Sequence, residues 1–218
     1  MNKSIEFEGI AVEVIYTPQR KHSYLRVNAD STISVKTPLR SQKFVYTFLE
    51  EKRAWIKKQL EKNRTAIAVN LEDEVLLFGE VYSIDLDTFA PLRKKLQKLS
   101  TKDTEKILRA YNSYYKEIAQ EYLTQRTQYF ALSMRLKYNE LRFRKMKSRW
   151  GSCSSQKNIT FNTQLVKLKK EYIDYVIVHE LAHLVHMNHS KKFHQLVASY
   201  LPNAAQLRKA LRETRLLD

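Results

Sequence analysis

Five of the six histidines in this 218-residue chain lie between positions 179 and 194. Four of them fall in the run Val178-His179-Glu180-Leu181-Ala182-His183-Leu184-Val185-His186-Met187-Asn188-His189, and His194 follows shortly after. On a helix, residues four apart stand on one face, so His179 and His183 converge on a common point, where imidazole nitrogens hold a zinc ion at about 2.0–2.1 Å. Glu180 is offset by one residue. Its carboxylate is therefore placed to act on a water activated at that point instead of on the ion, the general-base role of an H-E-x-x-H hydrolase. Shuffling this composition would produce the pattern on the order of once in a hundred chains. The uncharged flanks, Tyr175 to Val178 with Leu181, Ala182, Leu184 and Val185, predict a buried helix whose histidines need partners. Two core histidines satisfied by backbone carbonyls are the ordinary alternative.

A catalytic zinc takes three protein ligands and keeps a position open. His186 would stand about 10.5 Å along the helix from His179, near the limit for sharing one tetrahedral ion. His189 is preferred. Asn188 can take the left-handed conformation that ends a helix and Ser190 can cap the next, so the chain reverses and returns His189 to the metal. The spacing of His179, His183 and His189 equals that of the metzincins, but His186 stands where they have glycine and no methionine follows Met187 to form their turn.

A second segment, Arg149-Trp150-Gly151-Ser152-Cys153, precedes the motif. Gly151 after a bulky Trp150 suggests a bulge or the close approach of another backbone, and Arg149 supplies a cation for a carboxylate or phosphate. Trp150 and Cys153 read more readily as packed residues than as substrate contacts. A nucleophilic Cys153 would need a free histidine as base, and the best histidines belong to the metal motif.

Several elements must position these residues. Alternation through Ile10, Val12, Val14 and Tyr16, then Leu25, Val27, Ile33 and Val35, predicts a small antiparallel sheet. Ser41 is placed to cap a helix running to about Asn63, and Val75 to Leu86 reads as a further hairpin. Residues 91–100, rich in Arg93, Lys94, Lys95 and Lys98, read as a candidate linker with enough leucine to be partly helical. Helical spacing from Asp103 to about Arg135 carries a tyrosine stripe suited to a core. Leu141 to Arg144 and Trp150 to Phe161 predict a strand and a hairpin, followed by helices over 171–187, 191–200 and 204–216. The fold class is α+β, with a β-rich unit over 1–90 and a zinc-binding unit over 91–218 in which a hairpin packs against the histidine helix.

Composition narrows the function. Three glycines exclude a glycine-rich phosphate loop, and a lone Cys153 excludes an intrachain disulfide and paired-thiolate zinc frameworks. No apolar run of membrane-spanning length occurs and the first residues lack a signal-peptide core, which points to the cytoplasm. The excess of 39 Lys and Arg over 23 Asp and Glu, a net charge of +16, makes nucleic acid a candidate partner through Arg93–Lys98, Arg142–Arg149 and Arg208–Arg215.

The ordered set Met146-Lys147-Ser148-Arg149-Trp150-Gly151-Ser152-Cys153, Asn162, Tyr175-Val176, His179 to Leu184, Asn188-His189-Ser190 and Phe193 resembles the YgjP-like metallopeptidases. Arg26-Val27, Val35, Pro38 and Trp55-Ile56 extend the resemblance over most of the chain. It implies a minigluzincin-like fold related to the SprT and Wss-type proteases, with His179, His183 and His189 as zinc ligands and Glu180 as base. The family often has tryptophan where this chain has His194, a residue that could donate to a developing oxyanion. Some members are described as nucleotide pyrophosphatases. Three readings follow: a peptidase acting on extended or unfolded polypeptide, a nucleoside triphosphate pyrophosphatase, or a nucleic-acid-associated module with a structural zinc. For the first, the strand near Ile159 to Thr163 is expected to offer its edge to substrate.

Overall fold

The computed structural model describes residues 2–28, 30–65, 70–101 and 103–214. Helices and sheets both contribute, as an α+β fold requires. The chain divides into two compact units, Met1–Ala68 with Glu213–Asp218, and Val69–Arg212.

In the first unit, β1 (Asn2–Phe7) and β2 (Ile10–Tyr16) form a hairpin whose turn residues, Glu8 and Gly9, both take positive φ. Paired positive φ at a two-residue turn matches the twist of the flanking strands. With β3 (Tyr24–Val27) and β4 (Ile33–Thr37) they make a sheet of order β1-β2-β4-β3. The expected antiparallel sheet is instead mixed: β4 lies between β2 and β3 and runs parallel to β2. Alternation reports which face a side chain occupies and says nothing of strand direction, and β1 escaped it altogether. Ser41 caps α1 (Gln42–Glu51), accepting from Phe44 N at 3.2 Å. The single long helix expected from there is divided, because Lys52 leaves helical geometry before α2 (Arg53–Thr65). Val12, Ile33, Val35, Val45, Leu49 and Ile56 close the core between sheet and helices.

The second unit is organised by α4 (Thr104–Met134), capped by Asp103 and ended by Arg135 in the left-handed conformation. Tyr111, Tyr114 and Tyr115 are buried along it as core, while Tyr129 faces solvent. The hairpin of β5 (Glu74–Leu77) and β6 (Glu80–Ser83) belongs here and not with the amino-terminal sheet. The Tyr111 hydroxyl donates to the carbonyls of Leu71 and Glu74, and Phe78 N donates to Val166 O, bonds that tie the hairpin to this unit. A 3-10 turn, Asp87–Phe89, leads into α3 (Ala90–Gln97), so the candidate linker is helical over most of its length, as its leucines allowed. Pro91 sits in its first turn, where no amide donor is needed, and Leu92 is buried. Charges in the basic segments are partly engaged: Arg93 donates to Ile84 O and Leu86 O, Lys95 pairs with Glu117 and Arg142 with Glu140.

A three-stranded sheet, β7 (Glu140–Arg144), β8 (Gly151–Cys153) and β9 (Asn158–Asn162), supports the site. Its order is β7-β9-β8, with β9 parallel to β7 and antiparallel to β8. The strand expected to present an edge, near Ile159 to Thr163, is therefore the central one, paired on both sides. The edges are β7 and β8, of which β8 lies against the histidine helix through Gly151. From β9 a 3-10 turn, Thr163–Lys167, leads to α5 (Lys170–Ala182), then α6 (Lys191–Tyr200) and α7 (Ala204–Glu213). Arg126 of α4 grips Asp174 of α5 through two hydrogen bonds of 2.6 and 2.7 Å, fixing the histidine helix on the long one.

Candidate metal centre

Helix α5 buries Ile173, Val176, Ile177, Val178, Leu181 and Ala182, so it is held by apolar residues on most of its circumference. It ends at Ala182, earlier than the sequence suggested, and His183 is its C-cap in helical conformation. His183 thus still stands one turn beyond His179. The following residues tighten into i+3 bonds, Leu184 N to Leu181 O and Val185 N to Ala182 O, while His186 N still donates to Ala182 O at 2.9 Å and closes the last turn.

His186 has a further backbone role. Its carbonyl accepts from His183 Nδ1 at 3.0 Å. A carbonyl only accepts, so Nδ1 carries the proton and Nε2 keeps its lone pair for a metal. The chain then bends at Met187 and Asn188. Asn188 is absent from the described positive-φ residues, so the reversal does not use the left-handed conformation expected there. Ser190 does cap the next helix, accepting from Phe193 N at 3.4 Å. This returns His189 to the cluster.

Ligating atoms of His179, His183 and His189 all lie within 4.8 Å of one another, and Nε2 of His179 and of His189 are 3.0 Å apart. Nitrogens on a tetrahedral zinc stand roughly 3.3 Å apart, so this spacing suits a common ion. Phe193, fully buried, places its ring 4.9, 4.6 and 4.9 Å from those of His179, His183 and His189. That apolar backing supports all three imidazoles. Burial, followed by the neighbouring His183, His189, Arg208 and His194, pulls the His179 pKa down to about 3, which keeps a neutral ligand over the working range of pH.

Glu180 is 5% exposed, and its Oε2 is buried without a hydrogen-bond partner. Burial pushes its carboxyl up to about 8, opposed by the Arg149 cation. Gly151 of β8 faces it so closely that a Cβ there would lie 2.6 Å from Glu180 Oε1. The close approach expected at Gly151 is therefore to a side chain and not to a backbone. Asn162, at the end of β9, holds the segment that carries Arg149. Its Nδ2 donates to Met146 O at 2.8 Å and Arg149 O at 3.0 Å, while Oδ1 accepts from Gln164 N at 3.1 Å. Burial and then the Glu180 charge push the Cys153 thiol up to about 11, which disfavours the thiolate that a nucleophile needs.

The remaining candidates sit at the rim. Arg149 is exposed, its charge acting on Glu180. His194 stacks on His189 with centroids 6.2 Å apart, and Arg208 Nη1 lies 3.5 Å from His194 Nε2. Arg208 entered the sequence reading only as one charge of a basic helix. Asn162 entered the sequence reading only as one of the residues that carry the family resemblance.

A family model described as "YgjP-like, metallopeptidase domain" matches residues 21–214. The chain belongs to the YgjP-like metallopeptidase family. Among solved structures, this YgjP-like metallopeptidase is similar to the metallopeptidase zymogen abylysin of Pyrococcus abyssi, at 20% identity over 44% of this chain and 99% of the other, with a TM-score of 0.39. It is similar also to the zymogen jannalysin of Methanocaldococcus jannaschii, at 20% identity over 42% and 94%, with a TM-score of 0.38. None of the curated proteins compared with it matches. A metallopeptidase requires a divalent metal, and the cluster of three imidazoles, with the unpartnered buried carboxylate oxygen of Glu180 next to His179 in the chain, fits one. No described helix is long and apolar enough to cross a membrane.

Proposed function

We propose that the chain is a zinc peptidase of extended or unfolded polypeptide, with His179, His183 and His189 as ligands and Glu180 as general base. The observation that carries this reading is Glu180 itself: a buried carboxylate with one oxygen unpartnered, adjoining three clustered imidazoles. A purely structural zinc would have no use for it. Zinc bound there supplies a Lewis acid that acidifies water and polarises a carbonyl.

The chain's own residues do the rest. Glu180 accepts the proton of the attacking water and delivers it to the departing amine. Gly151 leaves room for that carboxylate, and Phe193 fixes the imidazoles. The edge of β8, with its outer backbone groups unpaired by another strand, is the place for an extended substrate to add as a strand. Recognition through backbone groups predicts broad sequence tolerance and a preference for flexible chains.

The test is incubation of zinc-loaded and chelated protein with an unfolded protein and, separately, with a nucleoside triphosphate. Chelator-sensitive fragmentation of the polypeptide is expected. Triphosphate cleavage with the polypeptide intact would give the site to phosphoanhydride chemistry instead.

A further inference from the structure

The histidine cluster is bordered by cations on two sides. Arg149 acts on Glu180, and Arg208 acts on His179 and His189. Among the described residues, the charged or titratable groups that act on those two histidines are Arg208 and other imidazoles. Arg208 lies half-buried on α7, reached by its helix through the buried Leu207 and Leu211. Its guanidinium meets His194 Nε2 at 3.5 Å, and His194 in turn stacks on His189. Among the described residues Arg208 has no carboxylate partner.

A guanidinium is permanently charged and presents several donors in a plane matched to a carboxylate. One held beside a hydrolytic site with no internal counterion is a docking point for an anionic group of the substrate. We infer that Arg208, steadied by His194, is a specificity-determining residue that receives an acidic side chain of the polypeptide close to the scissile bond. The inference rests on the peptidase reading and narrows its substrate class to acidic segments. Exclusion contributes as well, since a lysine brought beside Arg208 would meet a like charge.

The test uses matched fluorogenic peptides that differ only in carrying Glu, Gln or Lys at positions flanking the cleaved bond. Cleavage is followed with zinc-loaded wild type, Arg208→Lys and Arg208→Glu. Binding of the same peptides is followed by calorimetry with each protein in a Glu180→Gln background. Wild type should favour Glu over Lys by about tenfold in both kcat/KM and affinity, Gln falling between. Arg208→Lys should keep the order, and Arg208→Glu should reverse it with zinc content unchanged. An Arg208→Glu protein with the wild-type order would overturn the assignment. If no peptide is cleaved by any protein, the peptidase reading fails, while the calorimetric order still decides for or against Arg208.

Discussion

Gly151 and Glu180 are in contact across two elements: a Cβ built on Gly151 would stand 2.6 Å from the Glu180 Oε1, 2.7 Å from its Cγ and 2.9 Å from its Cδ. The edge strand β8 thus sets the position of the carboxylate. Gly151→Ala is expected to displace Glu180 by a large fraction of an ångström and lower kcat by about 10²-fold, with zinc content unchanged. Metal analysis beside steady-state kinetics separates the two effects, and unchanged kcat would show that the strand merely passes by.

The ligand assignment separates His189 from His186. The His186 ring lies outside the cluster and only its carbonyl serves, which any side chain preserves. Competition with a chromogenic chelator should show His189→Ala losing zinc and His186→Ala holding it near the wild-type affinity. The opposite pattern would exchange the two residues.

Phe193 backs all three imidazoles from full burial. Truncation to alanine removes a packed aromatic ring, which costs about 3–5 kcal/mol. Phe193→Ala should therefore lower the denaturation midpoint and also weaken zinc binding; Phe193→Leu should restore most of the stability. A stable Phe193→Ala protein with normal zinc affinity would contradict the packing described.

Cys153 gives a prediction in pH. Its thiol is raised to about 11, so the fraction ionised at pH 8 is on the order of 10⁻³, where an ordinary thiol is about one quarter ionised. Only the thiolate reacts, so iodoacetamide labelling should be slow at pH 8 and rise roughly tenfold per unit up to about pH 11. A labelling rate that levels near pH 8.5 would mean an ordinary, accessible thiol.

What the sequence made legible follows from what local spacing encodes. His179, Glu180 and His183 were readable because one helical turn fixes their relation, and His189 because a capping serine follows it. The reason given for the turn was wrong in detail: Asn188 is not left-handed, and His183 ends the helix early. The α+β class was equally legible from alternating and helical stretches. Direction was not, and so β2 with β4 and β7 with β9 turned out parallel, and β9 turned out central. Pro91 and its lysines suggested a candidate linker because charge and proline mark loops, while its leucines left room for a helix; both are tolerated in the first turn and outer face of α3. The roles of Gly151 and Arg208 were hidden for a deeper reason. Each depends on a neighbour supplied by a distant element, Glu180 for one and His194 for the other, and no local pattern specifies that meeting.

The zinc content and peptide turnover of Glu180→Gln, determined on one preparation, decide the role of Glu180. The substitution keeps the shape of the side chain but removes its capacity to accept a proton, while leaving the three imidazoles in place. One zinc per chain is expected, with turnover reduced by several orders of magnitude. Near-native turnover with zinc bound would contradict that role, because the proton would then be accepted elsewhere.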